Sequence, residues 1–229
     1  MATAAQIRAA ERPLPPAEKA RAEERERRAR NLLAVLGLLT LIGSSRWTRA
    51  RARSGLEALI LDGRAVMASA TESLIAGQVP LGRWHNRLAL DLGMRHAAGT
   101  LLLLNERSLP TADRRSLAIR ASGQERYLAR FASQVASGKQ PLTRSAIVRA
   151  EMYADASWAV PHGVERDRMI RAGYDEAQRV LGAADHCPGC REWAGFWMPI
   201  DECPEIGVMQ CLSRCHCHIS YRGPAGTIL

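Results

Sequence analysis

Apolar positions recur along most of this chain with a helical period. Leu56, Leu59, Ile60, Met67, Ala70 and Leu74 are spaced by three, four and seven, so all fall on one stripe and predict a helix with one buried face. Residues 77–80, with Gly77 and Pro80, end it. Trp84, Leu88, Leu92 and His96 stand at four-residue steps and lead into the apolar run 101–104, a second helix. Residues 108–111 read as a breaker and then a cap at Thr111, after which Leu117, Ala121, Leu128, Phe131 and Val135 mark a third helix, closed by residues 138–141. Thr143 is a candidate cap for a fourth, with Ile147, Ala150, Ala154 and Trp158 on its buried stripe. Pro161-His162-Gly163 predicts a break, and Ile170, Tyr174, Ala177 and Leu181 predict a last helix that Gly182 releases. No strand-like alternation precedes about residue 185.

The N-terminal stretch differs. Pro13-Leu14-Pro15-Pro16 denies the backbone its donors and favours an extended arm. Residues 17–30 are rich in Ala, Glu and Arg, with Glu23/Arg27 and Glu24/Arg28 at i,i+4 spacing, and predict a solvated helix. It runs into apolar residues 32–42, a stretch well short of the roughly 20 residues that cross a bilayer, so a buried helix and no membrane partner are expected. The glutamates ahead of that run also argue against a secretion signal. The chain divides into a charged arm and N-terminal helix (1–45), a helical region (46–140) and a C-terminal unit (141–229).

Charge is uneven within a formal net of +9: residues 1–60 carry twelve Lys or Arg against six acids, whereas residues 183–229 carry three against five. Arg46, Arg49, Arg51 and Arg53 surround Trp47, a pattern open to a solvated face, docking on an acidic partner, or contact with phosphates.

All six cysteines of the 229 residues fall between Asp185 and Tyr221. Cys187-Pro188-Gly189-Cys190 and the later group Cys211, Cys215 and Cys217 form two knuckles, the spacing with which a chain grips one tetrahedral metal. About one structural zinc per chain, held by four of these five thiolates, is the expectation. Cys203 stands alone and reads as a packing thiol; His186, His216 and His218 are reserve ligands. His85 and His96 are eleven apart, about 16 Å along a helix, too far to share a metal. Trp193, Phe196, Trp197 and Tyr221 supply bulk for a small packed unit. The fold expected is mainly α, with long helices followed by a small α+β zinc-binding C-terminal unit.

Catalysis is not indicated. So many thiolates close the coordination shell that a hydrolytic zinc keeps open, the H-x-E of zinc deaminases is absent, and the C-x-x-C lacks the βαβ frame of a thiol oxidoreductase. Arg149 and Glu151 point to different sides of a helix and read as tethers to different neighbours.

Arg149-Ala150-Glu151 on a helix, Asp185-His186-Cys187-Pro188-Gly189-Cys190, and the closing Cys211-Leu212-Ser213-Arg214-Cys215-His216-Cys217 resemble the phage head morphogenesis family. These are minor capsid proteins similar to protein F of phage Mu, and the likeness covers roughly residues 141–221. Ala150 stands where the family tends to have Thr, and Leu212 where it has His; Cys211 is the adjacent candidate to replace the missing imidazole. The resemblance implies a minor structural protein of a tailed-phage virion, not an enzyme, acting in head morphogenesis at the portal or inner capsid. Portal and capsid proteins are then the partners, in several copies per virion, and the basic N-terminal half offers a contact for packaged DNA. The other class is a zinc-containing nucleic-acid-binding protein.

Overall fold

The structure, a computed structural model, describes residues 15–35, 37–38, 48–182, 185–212, 215–223, 226 and 228. Its elements are α1 (Pro16–Val35), α2 (Arg49–Ile75), α3 (Leu81–Leu104), α4 (Thr111–Ala136), α5 (Arg144–Asp155), α6 (Ala159–Arg171), β1 (Glu176–Val180), the short α7 (Pro188–Glu192), β2 (Trp197–Pro199) and β3 (His218–Arg222). The fold is mainly helical with a small C-terminal sheet, in which β1 lies between β2 and β3 and pairs antiparallel with both.

α3 is the central helix, packed against α1, α2, α4 and α6. Its second half is buried on nearly every side because Leu101, Leu102 and Leu103 leave no polar face, and because Gly99 lets neighbours come close. A Cβ at Gly99 would stand 2.7 Å from Leu56 and 2.9 Å from Pro161. Thr48 and Thr143 cap α2 and α5 by accepting from the amides of Arg51 and Ser145. Thr111 is instead the first residue of α4, whose cap position is Pro110.

Two apolar clusters form. One gathers Met67, Trp84, Leu88, Phe131 and Tyr153 at the far end of the helices, with Trp84 meeting Phe131 edge-on at 5.3 Å. The other runs from Ala29 and Leu33 of α1 through Leu56, Leu101 and Trp158 into Cys190, Cys217, Ile219 and Tyr221. The cysteine unit therefore shares its core with the helices.

Further sequence readings change. α6 passes through Pro161-His162-Gly163 without breaking, since Pro161 lies in the first turn, where its missing N–H has no intrahelical partner to lose. The helix predicted through Ala177 and Leu181 ends at Arg171, and residues 176–180 form β1. The burial of Ala177 and Arg179 on one face is a strand period, which an apolar list at spacing three and four concealed. α1 is not merely solvated: Ala29 is fully buried, and Glu26 accepts from Arg114 at 2.9 Å. Removing residues 1–30 would strip both from packed sites. Residues 1–14 of the arm, Arg46, and residues 36 and 39–42 of the apolar run lie outside the described residues.

Buried charges are paired. Arg95, 1% exposed, donates to Asp91 at 2.6 Å, Asp62 at 2.8 Å and the Leu59 carbonyl at 2.6 Å. His96 is buried with neither ring nitrogen hydrogen-bonded. Burial, with Arg25 nearby, pushes its pKa down to about 3. The unfolded imidazole titrates near 6.5, so this contribution to stability is whole above that pH and is lost as pH falls toward 3. Chemical denaturation at a series of pH values should show stability falling below about pH 6.5. His96→Leu should flatten that slope, and an unchanged slope would assign the acid sensitivity elsewhere.

Candidate metal centre

The sheet places the cysteines. β1 and β3 pair from Glu176↔Arg222 to Val180↔His218, so Cys215 and Cys217 arrive beside the outgoing end of β1. Beyond β1 the chain makes α7, with Pro188 at its first position, and returns so that Ala194 bridges Arg179. That return carries Cys187 and Cys190 to the same end of the sheet. Gly182 permits the approach of the two segments, since a Cβ there would lie 2.3 Å from the His216 carbonyl oxygen.

Five thiols converge. Cys187, Cys190 and Cys211 have sulfurs within 4.8 Å of one another, and so do Cys190, Cys215 and Cys217. Cys190 and Cys211 are 3.5 Å apart, near the separation of about 3.8 Å for two sulfurs on a tetrahedral ion with bonds of about 2.3 Å. All six cysteines are free thiols. A crowd of unbridged thiols with one shared sulfur suits a thiophilic ion, and this cluster can hold a metal.

Electrostatics point the same way. The hydrogen bond from Cys217, helped by backbone amides of Cys217 and Gly207, holds Cys215 down to about 4 against the effect of burial. Cys217 is pushed up by its position beside the Cys215 thiolate, and Cys211 is pushed up by burial and by Cys190. Burial opposes ionisation of Cys187, but amides of Cys190 and Cys211 bring it to about 7. So many thiols cannot all ionise in one place without a cation, and an ion that binds them displaces their protons.

Arg179 is the residue the sequence reading missed. It is fully buried, and its Nη1 lies 3.8 Å from the Cys190 sulfur and 3.7 Å from that of Cys215. Nη2 donates to the carbonyls of Pro204 at 2.6 Å and Glu205 at 2.9 Å, fastening the 203–212 loop to β1. Reading residues 176–180 as a strand would have exposed it, because an arginine on the inward face of a strand needs a buried anion. Arg179→Met should weaken metal affinity about 10–100-fold in competition with a chromophoric chelator, as removal of an outer-shell partner does. Unchanged affinity would reduce Arg179 to a loop anchor.

Other nominated residues divide. Cys203 is buried outside both sulfur triads, its thiol pushed up by burial, which fits packing. His186 Nδ1 lies 3.5 Å from the Cys217 sulfur, while His216 sits against Trp158, ring centroids 5.5 Å apart, and His218 is on β3. Arg149 ties α5 to α4 by lying 4.4 Å over the Phe131 ring, and donates to Gln140 at 3.0 Å. Glu151 lines a groove with Arg64 and Asp155. Trp158 donates to the Cys217 carbonyl at 2.9 Å, and Arg166 donates to the carbonyls of Ile200 and Cys203.

Among the described residues, no helix is long and apolar enough to cross a membrane. No family model, curated protein or solved structure matches the chain.

Proposed function

We propose that this chain is a minor structural protein of a tailed-phage head, acting in head morphogenesis at the portal or inner capsid, with zinc as a structural metal in its C-terminal unit. The observation that carries the reading is the convergence of Cys187, Cys190, Cys211, Cys215 and Cys217. These are the residues on which the resemblance to the head morphogenesis family rests. Zinc is the assignment because thiolates predominate and a structural ion needs no redox chemistry. Cys187, Cys190, Cys211, Cys215 and Cys217 are its candidate holders, and the metal would cross-link α7 and the residue before it to the segments that carry Cys211, Cys215 and Cys217. No reaction is assigned.

The helical region supports an assembly role over nucleic-acid binding. Arg49 donates to Glu165 and the Ile219 carbonyl, and Arg64, Arg114, Arg120 and Arg168 are likewise paired with carboxylates. Cations engaged in this way offer less to phosphates than the sequence charge suggests. Outward, the apolar side chains of Tyr127, Met152 and Leu212 are exposed around a groove of about 420 Å³ that Arg149 and Gly207 also line.

The test is composition of the particle. Proteomic analysis of purified heads should find the chain, and heads made with Cys187→Ser and Cys190→Ser should be defective. Absence of the chain from particles, or tight sequence-specific DNA binding by the purified protein, would favour the nucleic-acid class.

A further inference from the structure

Five clustered sulfurs are one more than a single tetrahedral ion takes. They fall into two triads that share Cys190, rather than into one set of four. We propose that the centre is binuclear, with two divalent thiophilic ions bridged by the Cys190 thiolate. The inner ion takes Cys190, Cys215, Cys217 and His186 Nδ1. The outer ion takes Cys187, Cys190, Cys211 and a solvent molecule. This rests on the thiolate-metal reading above and adds the number of ions, the bridge and the histidine.

His186 has the arrangement of a ligand. Its Nε2 is 2.7 Å from the Gly182 carbonyl oxygen, which only accepts, so the ring proton belongs on Nε2 and the Nδ1 lone pair is free. Nδ1 stands 3.5 Å from the Cys217 sulfur, against about 3.6 Å for a nitrogen and a sulfur on one tetrahedral zinc. Metal-bound imidazoles characteristically give their other N–H to a carbonyl or carboxylate in this way. His186 stands outside both sulfur triads, so its ring must move about that hydrogen bond for Nδ1 to join the inner ion.

Burial separates the two positions. Cys190, Cys215 and Cys217 are buried, whereas Cys187 and Cys211 are only half-buried. The inner shell can therefore close on protein atoms, while the outer ion keeps a position that faces water. Charge agrees. Five thiolates against two divalent ions leave one negative charge, and the Arg179 guanidinium against Cys190 and Cys215 neutralises it.

The full-length chain, reduced and saturated with Co(II), should hold two ions by elemental analysis. Its cobalt EPR signal per ion should be weaker than that of isolated Co(II) sites, because a shared sulfur couples the two spins. Cys187→Ser combined with Cys211→Ser should hold one ion with an undiminished signal, and circular dichroism should show the helices intact. His186→Ala should release the inner ion at lower chelator concentration while leaving the outer one. One ion in the saturated parent protein overturns the binuclear centre while leaving the metal unit standing. Two ions with full signal each overturn the bridge. No bound metal overturns both this proposal and the reading on which it rests.

Discussion

Arg120→Met is expected to cost the fold about 3–5 kcal/mol, the range for breaking one side of a buried charge network. Arg120 grips Asp167 with two hydrogen bonds, at 2.7 and 2.8 Å, and reaches Glu205 at 2.9 Å. Those three residues belong to α4, α6 and the loop between β2 and the last cysteines, so one guanidinium joins the helical scaffold to the metal unit. Ser116 also donates to Asp167, which is buried. The variant strands two carboxylates, and adding Asp167→Asn should recover part of the loss. Equilibrium urea unfolding measures it; a change under about 0.5 kcal/mol would place the network among ordinary surface pairs. The pH profile carries the same signature. Burial of Glu205 opposes ionisation, but Arg120 outweighs it and holds the carboxyl below its usual value. That stabilisation is whole above the unfolded carboxylate pKa near 4.5 and is lost as pH falls through the lower folded value, so Arg120→Met should shrink the acid-sensitive share of stability.

Cys187→Ser with Cys190→Ser should abolish metal binding, because these residues supply one knuckle and the sulfur common to both triads. Loss of the cross-link exposes a unit whose own core is small, so metal binding energy is folding energy there. The effect should be graded along the molecule. Cys190, Cys217, Ile219 and Tyr221 pack in the same apolar cluster as Trp158, Leu101 and Leu56, so α6 and the sheet should lose hydrogen-exchange protection with the cysteine loops. The cluster around Trp84, Phe131 and Tyr153 does not include the metal unit and should stay protected. Protection lost evenly throughout would make the metal the support of the whole fold, and protection lost nowhere would make it dispensable.

The helices were legible because burial imposes a period. The stripe from Leu56 to Leu74 and the four-residue steps from Trp84 to His96 are the faces that α2 and α3 bury. The errors lie where local pattern and tertiary packing diverge. Pro161 is a breaker only inside a helix, and α6 begins two residues before it. Residues 176–180 hold too few apolar side chains to announce a strand, and the inward Arg179 reads as a surface residue until its partners are known. α1 is polar by composition, yet Glu26 is buried because Arg114, remote in sequence, pairs with it. The cysteine cluster was legible for a different reason: a chain that confines all its cysteines to its last fifth has set them in chelating spacing, and spacing survives in sequence where geometry does not. The sharing of Cys190, the aim of His186 and the charge partner Arg179 depend on three-dimensional approach and left no such trace.

X-ray absorption at the metal edge of the protein purified under reducing conditions addresses the centre most directly. A shell dominated by sulfur at about 2.3 Å is the expected result, with about one light scatterer per ion near 2.0 Å from His186 or solvent. Metal-free protein whose cysteines have formed disulfides, or an ion surrounded only by nitrogen and oxygen, would contradict a thiolate metal centre in this fold.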